Sequence, residues 1–192
     1  MAGLPSNLVD PLTSVLSGDS IGRKMIETDP IVNDFFLSAV AETENAPVFQ
    51  QYKVNPNSPI ESFPATGDTD KKEIGFGLTF SKDGDHGIKT AGDAFENLRK
   101  RYTKLIDKIA NNSKRFSNIK EMPPSYQRVL LSIADNIGLT GLEAYEKLQG
   151  AMERHDREGI YNEMLTWAKL GGQSKHTPLS GRRENIFLAS GI

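Results

Sequence analysis

The stretch E-I-G-F-G-L-T at residues 73–79 decides the fold of this chain. Residues 74–80 alternate loosely between apolar and small side chains, and Asp-Gly follows at 83–84, which predicts a strand and then a turn. Glycine in a strand often marks the close approach of a ligand or another backbone. Gly75 and Gly77, with Phe76 between them, therefore predict the floor of a cleft. A nucleotide-binding G-x-G-x-x-G loop is excluded, because position 80 is Phe80.

An apolar helix that ends in carboxylates is predicted upstream of this stretch. Asp29-Pro30 is typical of a helix start, with an N-cap followed by proline at the first helical position. The helix is expected to end near Asn45, because a proline two positions later disfavours helix before it. Glu42 and Glu44 lie at this end. A glutamate that leaves an apolar helix toward a cleft suits a general acid, since partial burial keeps a carboxyl protonated near neutral pH.

Further helices are predicted downstream, after a loop at residues 53–72. Thr90 is a candidate N-cap, Pro123-Pro124 opens a second helix, and Gly138 is expected to end it. Apolar side chains recur at helical spacing in four stripes and a short last helix: Phe95, Leu98, Tyr102, Leu105 and Ile109; Val129, Leu130, Ile133 and Ile137; Leu142, Tyr145, Leu148 and Met152; Ile160, Met164 and Trp167; Ile186, Phe187 and Leu188. The pattern predicts an α+β protein dominated by helix, with one small hairpin.

The order of these features resembles that of the phage-type lysozymes, glycoside hydrolase family 24, over roughly residues 30 to 190. The order is acidic helix, I-G-F-G strand, an N-I-G helix end at 136–138, Trp167, and L-S-G-R-R at 179–183. The resemblance implies a mainly helical lysozyme-like fold with a small β-hairpin near the active-site cleft. It implies a catalytic domain at 30–192. Residues 1–29 mix Gly, Pro, Ser and Asp with short apolar groups, which predicts an N-terminal appendage. It also implies a muramidase, which cleaves the β-1,4 bond between N-acetylmuramic acid and N-acetylglucosamine in peptidoglycan.

The resemblance also implies the catalytic residues. The family's catalytic glutamate ends the first domain helix and precedes a tyrosine by about seven positions; Glu44 precedes one by eight, whereas Glu42 fits less well. Glu73 stands where the family has a threonine directly before the I-G-x-G strand. The family's aspartate would fall one step before Asp68. Asp68 and Glu73 are therefore alternative candidates for the carboxylate that activates water.

Five further residues are candidates for substrate binding. Gly75, Phe76 and Gly77 form the expected cleft floor. Asn136 matches the family's N-x-G helix end, where the amide faces the cleft. Arg183 belongs to the family's arginine pair, one member of which would pair with a carboxylate such as Glu44 or Glu184.

Composition excludes several other classes of protein. The net charge of −2 argues against a general nucleic-acid binder. The chain has no cysteine, and its three histidines lack the spacing of a metal site, so neither a metal nor a cofactor is predicted. Basic residues do cluster at 99–101, Lys104, Lys108 and 114–115, as a solvated helix face or as a rim that attracts an anionic polymer.

The expected setting is the bacterial cell wall. No apolar run approaches the roughly 20 residues that span a bilayer, and the first residues lack the pattern of a signal peptide. We therefore expect synthesis in a host cytoplasm and action on the wall, as an endolysin or as a virion component whose N-terminal segment docks a virion protein. Two alternatives stay open: a lytic transglycosylase that uses Glu44 alone, and a non-enzymatic virion or wall-binding protein on a lysozyme scaffold.

Overall fold

Helices take up most of the chain in the computed structural model, which describes residues 31–65, 70–81, 86–170 and 185–192, without the side chains of 165–170. Together with a three-stranded antiparallel sheet, they confirm the predicted α+β class dominated by helix. The predicted appendage at 1–29 lies outside the described residues. Of the helices in the described ranges, none has the length and apolar character of a bilayer-spanning segment.

The elements follow one another in a simple order. They are α1 (Asp34–Val54), β1 (Phe63–Pro64), β2 (Lys71–Ile74), β3 (Leu78–Ser81), α2 (Ala91–Asn112), a 3-10 turn (Ile119–Glu121), α3 (Pro124–Glu143), α4 (Glu146–Glu153) and α5 (Arg157–Leu170). Residues 185–190 are also helical, as predicted for the last short helix. The strands lie in the order β1-β2-β3, so the loop predicted for residues 53–72 holds the end of α1, all of β1 and the start of β2.

Helix α1 starts later and runs further than the sequence predicted. Its N-cap is Asn33, whose side chain accepts a hydrogen bond from the Phe36 amide at 2.8 Å, so the start predicted at Asp29-Pro30 is wrong by four residues. At Asn45 the backbone leaves the helical region (φ −153°, ψ 82°), as expected. The helix then resumes, because the Asn45 side chain accepts from the Val48 amide at 3.3 Å and caps a second segment. Proline is tolerated in the first turn of that segment.

The I-G-F-G stretch is a turn, and the strand predicted across it is wrong. Strand β2 ends at Ile74, residues 75–77 turn, and β3 begins at Leu78. Gly75 and Gly77 have φ of 63° and 77°, which glycine adopts far more readily than other residues. A Cβ at Gly75 would also lie 2.7 Å from Ala94 Cβ, so the turn sits directly on α2. The glycines thus mark the reversal of the hairpin.

Most residues of the predicted stripes lie in the apolar core, but Leu188 of the last short helix is 59% exposed. Thr90 and Asp93 form a capping box at the start of α2, whose buried face carries most of the predicted stripe. Helix α3 begins at Pro124, and Ile133 near its middle is fully buried. It breaks at Gly138 (φ 71°, ψ 176°), but it resumes and ends at Glu143.

Candidate active site

Glu44 lies at the end of the apolar half of α1, directly before the helix break. The preceding turns of the helix are buried in the core through Phe36, Leu37, Val40 and Ala41. Glu44 itself is half-buried, whereas Glu42 is exposed. A Cβ placed on Gly77 would lie 3.5 Å from Glu44 Oε2, so the carboxylate faces the hairpin turn where glycine leaves space. The position of Glu44 at the end of an apolar helix agrees with the sequence, and its role as an acid in a substrate cleft stays a prediction.

Asn45 fastens the helix break to the hairpin. Its Nδ2 donates to the carbonyl oxygen of Gly75 at 3.0 Å, while its Oδ1 accepts from the Val48 amide. The two bonds use both ends of one amide group, and they join segments 30 residues apart in sequence. The direction in which Glu44 leaves the helix is therefore set by contacts on its own helix and on the turn.

Arg101 holds the same turn from α2. Its Nη1 donates to the Phe76 carbonyl at 3.0 Å, and its Nη2 donates to Asp135 Oδ2 at 2.8 Å. Both side chains of this ion pair are largely buried, at 25% and 14% exposure, so the pair is shielded from solvent more than a surface pair. Sequence analysis missed both residues. The available signals were that Arg101 belongs to the basic cluster and that Asp135 directly precedes Asn136.

Tyr102 connects the two acids electrostatically. Burial raises the pKa of its phenol well above 10, the charge of Asp135 raises it further, Arg101 opposes this, and Glu44 raises it again. A hydrogen bond to Asp135 also favours the neutral phenol. The ring packs edge-on against Phe36, with centroids 5.7 Å apart. Glu44 and Asp135 therefore both act on one buried, neutral tyrosine.

Phe76 supports the turn from below. Its side chain is 2% exposed and packs edge-on against Phe95 at 6.2 Å. Phe95 in turn stacks on Tyr52, the tyrosine eight positions after Glu44, with ring centroids 4.3 Å apart. The predicted cleft floor at 75–77 thus offers backbone and glycine, with the aromatic side chain turned into the core.

Glu73 lies in the middle of the sheet. Its Cα partners are Phe63 on β1 and Thr79 on β3, and residues paired in this way share a face of the sheet. Ile74 points to the opposite face and is buried in the core. Phe63 is 41% exposed, so Glu73 lies in a row between an exposed aromatic ring and a hydroxyl. Sequence analysis missed Phe63, because it placed the residue in a loop.

The structure bears less on the other candidates. Asn136 is exposed, and its Nδ2 donates to the Ser132 carbonyl one turn earlier at 3.0 Å, so its amide is bound within its own helix. Its contact with a substrate stays a prediction. Asp68 and Arg183 lie outside the described residues, as does the side chain of Trp167. Within the described ranges, no three His, Asp or Glu side chains come together as a metal site.

No protein-family model, curated protein or solved structure matches the chain. The lysozyme-like fold and the activity implied by the sequence resemblance therefore stay predictions.

Proposed function

We propose that the protein is a peptidoglycan hydrolase, a muramidase that acts at the bacterial cell wall with Glu44 as its general acid. The observation that supports this most strongly is the placement of Glu44. It is half-buried at the end of an apolar helix, and its carboxylate faces a turn where Gly77 leaves room. Glycosidic cleavage needs a proton donor at the leaving oxygen, and the placement of Glu44 suits that role.

The proposed reaction uses two carboxyl groups. Glu44 gives its proton to the glycosidic oxygen as the bond to the anomeric carbon breaks, and the sugar ring develops positive charge. A water molecule attacks the anomeric carbon from the opposite face and loses a proton to a carboxylate. Asp135 is not assigned to this step, because it is already bonded to Arg101 and helps to hold the turn.

Glu73 is the proposed base. It lies on β2 one residue before Ile74, the last residue ahead of the turn that Glu44 faces. Its row on the sheet includes the exposed ring of Phe63, a surface on which a sugar can pack. Asp68 remains the competing candidate. An inverting enzyme, as the family resemblance implies, leaves about 6.5–9.5 Å between its two carboxyls to admit the water.

Two matched substitutions separate these candidates. If Glu73 is the base, Glu73→Gln loses nearly all turnover of purified peptidoglycan while Asp68→Asn stays largely active, because each change removes a proton acceptor and keeps the shape. The opposite pattern assigns the base to Asp68. Full activity in both variants would exclude a hydrolase that uses either residue and would favour the transglycosylase, which needs Glu44 alone.

Product analysis tests the proposed activity itself. Purified peptidoglycan is digested in water labelled with heavy oxygen, and the fragments are analysed by mass spectrometry, with the Glu44→Gln variant as a blank. A muramidase yields reducing-end N-acetylmuramic acid that carries one labelled oxygen. Unlabelled anhydro ends would show a transglycosylase instead. Binding to peptidoglycan without any turnover would show a wall-binding protein and would contradict the proposal.

A further inference from the structure

A basic pocket of about 370 Å³ lies between α2 and α3, next to the hairpin turn. Helix α2 contributes Arg101, Lys104 and Lys108, and α3 contributes Asp135 and the break at Gly138. The spacing of the three cations places them on one face of α2, since residues three and four apart are neighbours on a helix. The pocket therefore holds three positive charges and one negative charge.

The two lysines of this pocket differ from the other cations of α2. Arg99 pairs with Asp34, and Lys100 lies 4.0 Å from Glu96. Lys104 and Lys108, in contrast, make no ion pair or side-chain hydrogen bond with any residue in the described ranges.

The nearby acids are already engaged. Asp107, which lies between the two lysines in sequence, is bonded to Lys120 at 2.6 Å. Asp135 is bonded to Arg101 at 2.8 Å. Among the residues that the structure describes, the positive charge of Lys104 and Lys108 is therefore left uncompensated, in a concave site.

The pocket adjoins the candidate active site through shared residues. Arg101 lines the pocket and also donates to the Phe76 carbonyl of the turn that faces Glu44. Asp135 lines the pocket, and its charge acts on the same buried tyrosine as the charge of Glu44. A polymer that lies along the turn would therefore bring its substituents near Lys104 and Lys108.

We propose that this pocket binds an anionic group, a phosphate or a carboxylate, carried by the wall polymer whose glycan lies at Glu44. The inference rests on the proposed function and adds a second contact to it. Lysine ammonium groups are compact point charges that suit both kinds of anion. Because the chain as a whole carries a charge of −2, attraction to an anionic wall needs a local positive site of this kind.

Wall binding by sedimentation tests the pocket. The full-length chain with Glu44→Gln is mixed with purified walls of a Gram-positive bacterium, so that the walls stay intact. Lys104 and Lys108 are exposed. Adding Lys104→Gln and Lys108→Gln is therefore expected to weaken binding about 2- to 30-fold, the range for two exposed ion pairs. Adding Lys100→Gln and Lys147→Gln instead removes the same charge from exposed positions outside the pocket, and should change binding by less than about 2-fold. The difference should shrink as salt screens the charges.

Two treatments of the walls identify the anion. Hydrofluoric acid removes the phosphodiester polymer, and amidation neutralises the carboxyl groups of the stem peptides. The treatment that abolishes the difference in wall binding between the two double variants identifies which of these two wall components carries the anion. The proposal is overturned if the Lys104/Lys108 and Lys100/Lys147 double variants bind untreated walls equally, including the case in which neither binds. It is also overturned if their difference in binding survives both treatments.

Turnover of the same walls by the unsubstituted chain is measured in parallel. If the walls are cleaved and the two double variants bind equally, the proposed anion-binding pocket is wrong and the proposed hydrolase activity is supported. A binding difference without turnover would support the pocket and overturn the hydrolase.

Discussion

Two helices of this protein break in their middle, and the breaks are built differently. Helix α1 breaks at Asn45, whose side chain bonds to Gly75 on the hairpin and to Val48 on its own helix. Helix α3 breaks at Gly138, where a Cβ would meet no atom within 4 Å and where the backbone adopts a φ of 71°. The break in α1 is held by the hydrogen bonds of Asn45. The break in α3 depends on the positive φ that glycine adopts readily.

The difference explains which break can position a reacting group. Glu44 directly precedes the held break, so the bonds of Asn45 limit the directions in which its carboxylate can point. The open break at Gly138 lines the basic pocket and leaves Asn136 exposed to solvent. A catalytic acid needs a fixed direction, because small displacements of a reacting group lower the rate strongly. A site for an exposed anion tolerates more freedom.

The largest expected effect on stability concerns the packed side of the α3 break. Ile133→Ala should lower the free energy of unfolding by about 2–5 kcal/mol, because the side chain is fully buried. Ile137→Ala, one turn further and half-buried beside the break, should cost less than half as much. Urea denaturation of both variants measures this contrast. Equal losses would show that the tight packing around Ile133 continues to Ile137, directly before Gly138, and would contradict the contrast.

A smaller effect is expected at the held break. Asn45→Ala removes a helix cap, worth about 0.5–2 kcal/mol, and a hydrogen bond to the hairpin, worth about 0.5–1.5 kcal/mol. Because Glu44 loses its fixed direction, kcat/KM on peptidoglycan should also fall about 10- to 100-fold.

Thr90→Ala is the matched control for this substitution. It removes the cap of α2, at a similar cost of about 0.5–2 kcal/mol, and should leave turnover unchanged. If both variants lose activity in proportion to stability, Asn45 has no role in positioning Glu44.

The smallest effect concerns the buried Tyr102. Tyr102→Phe should cost about 0.5–1.5 kcal/mol at pH 7, through the lost hydrogen bond to Asp135. The raised pKa means that the folded protein holds the phenol proton more tightly than the unfolded chain, whose tyrosine titrates near 10. Above about pH 10 the tyrosine of the unfolded chain loses its proton while Tyr102 in the folded protein keeps it. The free energy of unfolding of the unsubstituted protein therefore falls as the pH rises above about 10. The phenylalanine variant lacks this loss, so the gap between the two proteins should narrow in alkaline denaturation. A gap that stays constant up to pH 11 would contradict the buried environment of the phenol.

Local patterns in the sequence predicted the helices well, because helical periodicity and caps are encoded within a few residues. Thr90 and the stripe from Phe95 to Ile109 are examples. They predicted the position of Glu44 at the end of an apolar helix for the same reason. The glycine pattern at 75–77 was misinterpreted as a strand, since alternation alone does not distinguish a strand interior from a turn that requires positive φ.

The features that the sequence did not predict depend on contacts between distant segments. Strand β1 has only two residues and exists through its pairing with Glu73 and Lys72. Arg101 and Asp135 lie 34 positions apart, so no local pattern could show that they form a pair or that the pair holds the turn. That Lys104 and Lys108 form no ion pair within the described part of the chain depends likewise on which partners the other charges find.

The most direct measurement for the proposed role of Glu44 compares two glutamates on the same helix end. The account predicts that Glu44→Gln lowers kcat on purified peptidoglycan about 10²- to 10⁴-fold, the usual contribution of general acid catalysis, with an unchanged melting temperature. Glu42→Gln, at an exposed position two residues earlier, should keep full activity. An active Glu44→Gln variant, or an inactive Glu42→Gln variant with an intact fold, would contradict the account.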